Sequence, residues 1–415
     1  MKYVILGGGP AGIFAAEAIR RRDAASPVVM VTEEEEVARS PVLLTYWVGG
    51  QVPGQGVRFR DPSWEERNRV DLRLGRKAIA VKTSSRTFFL ATGEEIPYDR
   101  LLIATGASPI SLPVPGAGLE GVLAIRHMRH AQAILNALPA LRQVIIIGGG
   151  FIGLKIAGHL KERGIEVAVL EKESRLAPRM LDDRSSGLVA DFLGRKGIRV
   201  ETGVEVEEIL GKEERVCAVR LKDGRVLLAQ IVIQAVGVKP NTDFLAGSGI
   251  ALEEGIPVPP LMETNLPDVF AAGDVALTLD SITGDRINNA TWPAASRQGA
   301  VAGANMAGGD VSYVHNLPLN ALSLCGIPIM AAGRSADMGG EGLAEDGPGF
   351  YRKIVLQDGR ITGFILIGRV SRAGILLAWM KKKEVRSRAD LMQESFLCRK
   401  PLPPGYGYGH GRFAG

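Results

Sequence analysis

At 415 residues, with 46% hydrophobic and 23% charged side chains, the chain is too long for one ordinary core and reads as two or three globular domains. A formal charge of +5 is modest at this length, so nucleic acid is not an expected partner; no apolar run reaches the roughly 18–20 residues of a membrane span. Cys217, Cys325 and Cys398 lie too far apart for a zinc cluster or a CxxC couple. That usage favours a reducing, cytoplasmic setting without structural disulfides, and buried inert thiols at 217 and 325.

The first element is a strand, glycine turn and helix over 3–19. Tyr3-Val-Ile-Leu leads into Gly7-x-Gly9-x-x-Gly12, with Pro10 and Ala11 inside the loop and an apolar helix face after it. The chemistry behind that spacing is a sharp strand-to-helix turn, close backbone approach to a pyrophosphate, and a helix N-terminus facing the anion. A second strand over Val28–Val31 ends in Thr32-Glu33-Glu34. An acid there suits a ribose with free hydroxyls, with Glu33 or Glu34 as the carboxylate. The run Glu33 to Glu36 equally suits a solvated acidic loop. Residues 37–70, rich in Gly and Pro, read as irregular. Strands follow near 77–81 and 86–90. Another buried strand, Leu101-Leu-Ile-Ala104-Thr105-Gly106, ends in a small-residue turn fit to lie against a cofactor. Pro109, Pro113 and Pro115 then form a stiff linker and a domain boundary.

The same design returns at 144–153. Four β-branched residues, Val144 to Ile147, precede Gly148-x-Gly150-Phe151-Ile152-Gly153 and an apolar helix. A lone glycine fingerprint is weak evidence. Two in one chain, each between a strand and a helix, say that two nucleotides meet here. Glu171 stands at the end of the next strand and favours NAD over NADP, because it would repel a 2′-phosphate. Lys172 and Arg175 leave NADP as the lesser alternative. Hairpin strands near 204–228 carry an Asp223-Gly224 turn, and the unit closes on a strand ending at Gly237. Residues 264–276 run an apolar strand into Gly273-Asp274, read as a carboxylate for a cofactor polyol chain. Trp292-Pro293 opens a close-packing Ala- and Gly-rich helix to Met306. Beyond 311 come strands 327–331, 351–357 and 361–367 and a helix over 373–383. The Gly- and aromatic-rich 401–415 reads as a mobile tail or a segment ordered by a partner.

Taken together, these motifs resemble the pyridine nucleotide–disulfide oxidoreductase family over almost the whole length. The resemblance rests on Gly7/Gly9/Gly12, Ala104-Thr105-Gly106, Gly148/Gly150/Gly153 with Glu171, Ala235-Val236-Gly237 and Ala272-Gly273-Asp274. It implies an α/β fold with two Rossmann-like dinucleotide-binding domains and a C-terminal α+β interface domain. FAD would occupy a discontinuous domain of 1–113 and 240–310, held also by Arg39 and Ala78, with Asp274 at the ribityl–phosphate region. NAD(H) would occupy 114–239, and 311–415 would be the interface domain.

Within that family, the NADH oxidase, NADH peroxidase and CoA-disulfide reductase branch places a redox cysteine beside the flavin in a Ser-Pro-Cys-x-x-x-Tyr pattern. The matching stretch here is Ser40-Pro41-Val42-Leu43-Leu44-Thr45-Tyr46, with valine at the cysteine position. Lys155 stands where many relatives carry Glu near the flavin–nicotinamide junction. A cation there would stabilise negative charge on the reduced flavin, unless the residue is a solvent-facing helix lysine. Leu317-Pro-Leu-Asn320, Gly326-Ile-Pro328 and 351–360 are similar to the rubredoxin reductase, nitrite reductase flavin module and phenylglyoxylate dehydrogenase electron-transfer type. The resemblance therefore implies electron transfer between NAD(H) and an iron–sulfur or rubredoxin-like protein through flavin, without a redox cysteine. The alternatives are an NADH oxidase using O2 or a small acceptor, a disulfide reductase, and an FAD-stabilised assembly subunit without catalysis.

Overall fold

The computed structural model describes residues 1–336, 341–387 and 391. The expected tail over 401–415 and Cys398 lie outside the described residues. The chain begins with β1 (Tyr3–Leu6), α1 (Pro10–Arg22) and β2 (Val28–Val31). Next come α2 (Pro41–Gly49), α3 (Trp64–Asn68) and β3 (Val70–Arg73), then a meander of β4 (Ala78–Lys82), β5 (Thr87–Leu90) and β6 (Glu95–Pro97). β7 (Arg100–Ile103) returns to the sheet and β8 (Ala107–Pro109) leaves it. Residues 37–70 are thus not irregular, contrary to expectation. α2 is apolar on every side, so it shows no amphipathic period, and such a helix belongs in an interior.

The second unit opens with β9 (Val122–Leu123) and α4 (Met128–Ala137). It continues through β10 (Gln143–Ile147), α5 (Phe151–Glu162), β11 (Glu166–Glu171), α6 (Asp183–Arg195) and β12 (Arg199–Thr202). A meander of β13 (Val206–Lys212), β14 (Arg215–Leu221) and β15 (Val226–Leu228) precedes β16 (Ile231–Gln234) and β17 (Val238–Pro240). The chain then re-enters the first unit with β18 (Ile256–Pro257), β19 (Val269–Ala271), β20 (Ala276–Leu279), β21 (Arg286–Ile287) and α7 (Trp292–Met306). The last part has β22 (Leu319–Leu324), β23 (Ile327–Gly333), β24 (Glu341–Gly347), β25 (Phe350–Gln357), β26 (Arg360–Ile367) and α8 (Ala373–Lys382).

Two five-stranded parallel sheets result, ordered β19-β7-β1-β2-β3 and β12-β11-β10-β16-β9. Each inserts an antiparallel meander between its outer strand, β3 or β12, and the strand that returns beside the glycine-loop strand, β1 or β10. The near-continuous Val/Ile/Leu strands follow from burial on both faces. β8 and β17, the two crossings between the units, pair antiparallel. The final sheet is antiparallel, ordered β22-β23-β26-β25-β24. The alternation of β14 turns Val216 and Ala218 inward and leaves Cys217 exposed. Cys217 is therefore a surface thiol rather than the buried one expected, and Cys325 is only half-buried.

One apolar core joins three parts of the chain. Leu44 and Val48 of α2 pack with Ile156 and Leu160 of α5 and with Ile329, Tyr351 and Ile365 of the last sheet. Beside it, Asp182 caps α6 by accepting from the Ser185 amide at 2.9 Å, accepts from the Tyr351 hydroxyl at 2.8 Å, and pairs with Lys353 at 3.1 Å. Burial pushes the Asp182 carboxyl up, but the bonds from Ser185, Tyr351 and Lys353 outweigh it and hold it below its ordinary range. Its contribution to stability is thus present above the unfolded carboxylate range and is lost as pH falls through the lower folded value. Asp182→Ala removes the cap of α6 and the bond from Tyr351; urea unfolding is expected to show a loss of about 1–3 kcal/mol at neutral pH.

Candidate active site

The two glycine loops have the same construction. A Cβ on Gly7 would lie 2.1 Å from the Ala104 carbonyl oxygen, and one on Gly148 would lie 2.4 Å from that of Ala235. Both residues also have positive φ, 123° and 109°. A Cβ on Gly12 or Gly153 would strike the carbonyl of Gly7 or Gly148 at 2.0 and 2.1 Å. Packing therefore demands the first and third glycine of each set. It does not demand the middle ones: around Gly9 and Gly150 there is nothing within 4 Å of such a Cβ. Those two residues are the N-caps of α1 and α5, and neither helix has a side-chain cap. Open space, uncapped amides and the positive end of a helix make two cradles for a diphosphate.

The first cradle gathers most of its expected partners. Gly273 donates its amide to Gln298 Oε1 at 2.8 Å, and its missing Cβ would lie 3.0 Å from that of Ala11. The Thr105 hydroxyl donates to the Asn241 carbonyl at 3.0 Å, while Asn241 Nδ2 donates to the Thr105 carbonyl at 2.8 Å. Asp274 is mostly buried and pairs with Arg126 at 2.7 Å; the same guanidinium flanks Gly106. Of the acidic run, Glu33, Glu35 and Glu36 face solvent, whereas Glu34 is half-buried and paired with His127. Burial alone would raise the Glu34 carboxyl, but His127 outweighs it and lowers it. Arg39 donates to the Gly54 carbonyl, pairs with Glu36, and lines an open cleft of about 490 Å³ with Arg58 and Arg60. Ala78 sits on β4 opposite Leu90, just past Gly75 and Arg76, whose amides bind the Glu34 and Thr32 carbonyls.

Arg126 and His127 are missing from the residues expected from sequence. They sit at the head of α4 in the second unit and reach acids of the first unit far along the chain. The only local signal is a capping box in which His127 and His130 serve as the N-cap and N3 residues.

In the second cradle, Glu171 lies against the glycine loop. Gly149 donates its amide to one Glu171 oxygen at 2.6 Å, and Glu173 donates to the other at 2.9 Å. Gly237 has φ of 121° at the end of the neighbouring strand. Phe151 and Ile152 form the first turn of α5, and Ile152 is 53% exposed.

Between the cradles, α2 and α5 run side by side in the same direction. Lys155 Nζ lies 3.7 Å above the Tyr46 ring centroid, and a Cβ on Gly49 would lie 2.8 Å from His159 Nδ1. Gln51 Nε2 donates to Glu162 Oε2 at 3.3 Å. Extending that register one turn back brings Val42, 48% exposed, and Ile152 to the head of the seam. Lys155 is not the solvent-facing alternative weighed from sequence: it is 9% exposed, forms no ion pair among the described residues, and burial lowers it to about 8.

The family model of the pyridine nucleotide-disulphide oxidoreductases matches residues 1–299. The chain is 31% identical over 381 residues to the NADH-dependent phenylglyoxylate dehydrogenase subunit epsilon of Aromatoleum evansii, covering 90% of each. It is 33% identical over 322 residues to an NADH oxidase of Methanocaldococcus jannaschii, covering 75% of this chain and 71% of that one. Among solved structures, a NAD-dependent persulfide reductase from A. fulgidus aligns with a TM-score of 0.87 at 27% identity, covering 93% of this chain and 77% of that one. The chain belongs to the pyridine nucleotide-disulphide oxidoreductase family, and FAD and NAD(H) are the cofactors that go with it. No helix among the described residues is long and apolar enough to cross a membrane.

Asp274→Ala leaves Arg126 without its partner and is expected to strip FAD during gel filtration; full retention of the yellow colour would refute the assignment. Glu171→Ala is expected to weaken NADH more than NADPH in equilibrium titrations, and an unchanged ratio would exclude a ribose role.

Proposed function

We propose that this protein passes electrons between NAD(H) and an iron–sulfur or rubredoxin-like protein through FAD, with no thiol in the path. FAD would lie on 1–113 and 240–310, with its diphosphate over Gly7–Gly12 and its ribityl–phosphate region at Asp274 and Arg126. NAD(H) would lie on 114–239, over Gly148–Gly153 with Glu171 on the ribose. When bound, the two cofactors supply hydride transfer and single-electron release. The observation that carries the reading is the parallel seam of α2 and α5, which leads from the second cradle to the position of Val42.

The chain's own residues do three things at that seam. Val42 and Ile152 present apolar surface where the rings would meet, which excludes water and leaves no sulfur to accept electrons. Lys155 sets a cation one turn below them, fixed before reaction and close to where negative charge develops. The two loops fix the relative positions of both nucleotides, and positioning is the protein's share of the rate. The kinship with a subunit of a larger dehydrogenase supports a protein acceptor. The kinship with an NADH oxidase supports O2 as the competing acceptor.

Turnover with NADH, measured anaerobically with a ferredoxin or rubredoxin and again in air-saturated buffer without one, separates these readings. Reduction of a ferredoxin or rubredoxin many times faster than consumption of O2 is expected. Rapid O2 consumption without a partner would favour the oxidase reading, and efficient turnover of a disulfide or persulfide would overturn the proposal. The charge on Lys155 is present below pH about 8 and lost above it. Its stabilisation of the reduced ring must follow. Lys155→Met is expected to lower the flavin potential by roughly 30 mV at pH 7, a tenfold change for a two-electron couple. Spectroelectrochemistry at pH 10 should show the two proteins converging.

A further inference from the structure

Lys155 does not stand alone in the seam. Its side chain lies on the Tyr46 ring, and that ring packs on the His159 imidazole with centroids 5.2 Å apart and planes tilted by 52°. Lys155 and His159 are one turn apart on α5, on the same face, and both are more than nine-tenths buried. Among the described residues, neither His159 ring nitrogen has a hydrogen-bond partner. Burial keeps His159 below its ordinary value; Glu162 pulls it up, and Lys155 adds to the lowering.

The other groups around this stack are few. α5 supplies Glu162, 3.7 Å from His159 Nδ1, and Arg163, which lies beside Gly50 after α2. The β22–β23 turn supplies Cys325, whose sulfur would lie 2.7 Å from a Cβ on Gly158. Cys325 is raised by burial and by Glu162 and lowered by Lys196, so it stays a neutral thiol. Glu162 is half-exposed, so solvent screens its charge more than that of the buried Lys155. A second cation at His159 would face Lys155 across a poorly solvated interior, where like charges exclude each other.

We propose that Tyr46 and His159 are positioning residues that hold the Lys155 ammonium one turn below the head of the α2–α5 seam, Tyr46 with its ring face and His159 by backing that ring. This rests on the reading that Lys155 serves the flavin. The phenol ring supplies the electrostatic attraction that a carboxylate would otherwise give, while leaving the net positive charge intact. An acidic partner would cancel that charge, and a charged imidazole would drive the proton from Lys155.

The test reads Lys155 directly. Reductive ¹³C-methylation of the full-length holoprotein and NMR titration give the Lys155 midpoint, with the resonance assigned by its absence in Lys155→Met. Flavin potentials are measured across pH on unmethylated samples of the same variants. His159→Glu is expected to raise the Lys155 midpoint by at least about 1 unit, as an opposite charge at this range does. Tyr46→Leu is expected to lower it by about 1 unit through loss of the cation–π contact, while Tyr46→Phe keeps the wild-type value. The pH at which the flavin potential bends should move with it.

If neither His159→Glu nor Tyr46→Leu moves the Lys155 midpoint, the proposal is wrong. The Tyr46 pair decides the matter alone if the buried glutamate prevents folding. Were Lys155 to respond as stated while the flavin potential ignored it, the flavin reading would fall and the positioning claim would stand. Should Lys155→Met shift the potential while the Tyr46 and His159 variants change nothing, the positioning claim falls by itself.

Discussion

The packing of α2 against α5 is the constraint on which the rest depends. α2 comes from the first nucleotide unit, α5 carries the second glycine cradle, and the last sheet closes over both through Ile329, Tyr351 and Ile365. A helix apolar on all sides is stable only when enclosed, so α2 ties three parts of the chain into one core. The same packing fixes the seam register, with Tyr46 over Lys155 and Gly49 over His159. Side chains that do chemistry and side chains that hold the units together are thus neighbours on the same two helices. Small shifts in packing at Gly49 or Gly158, where a Cβ has no room, would carry straight to the head of the seam.

The cradles divide the labour of their glycines in a way that separates fold from ligand. Gly7, Gly12, Gly148 and Gly153 are required by carbonyls that touch them. Among the described residues nothing crowds Gly9 or Gly150, which leaves the backbone at both open to a ligand. Around the first cradle, Arg126 and His127 connect the second unit to Asp274 and Glu34. Asp274 and Glu34 are thereby each paired with a base just ahead of α4, so the geometry of the first cradle is tied to the placement of the other unit.

Much of this was legible in the chain. The glycine spacings, the buried β-branched strands and the strand ends at Thr105-Gly106 and Gly273-Asp274 obey local rules, because a turn against a carbonyl leaves no choice of residue. The structure brings those motifs together as two cradles with shared construction. The misses have a common cause: contacts between residues distant in sequence. The helix over 41–49 carries no period because it is apolar all round, including Val42, which is left exposed at its first turn. Lys155 stands out in sequence only by its departure from the family pattern; its burial against Tyr46 carries no local signal. The pairing of Arg126 with Asp274 has no sequence signature at all. Cys217 differs from expectation because an antiparallel meander with one face in solvent exposes alternate residues, and which set of β14 faces out depends on its packing against the sheet.

The central claim is that electrons enter through the seam and leave without a cysteine. A cysteine-free variant with Cys217, Cys325 and Cys398 replaced by serine tests it most directly. In anaerobic stopped-flow, the account predicts bleaching of the flavin by NADH and reoxidation by an iron–sulfur or rubredoxin-like acceptor at wild-type rates. Normal bleaching followed by loss of delivery to the acceptor would contradict it, because a thiol would then lie in the path.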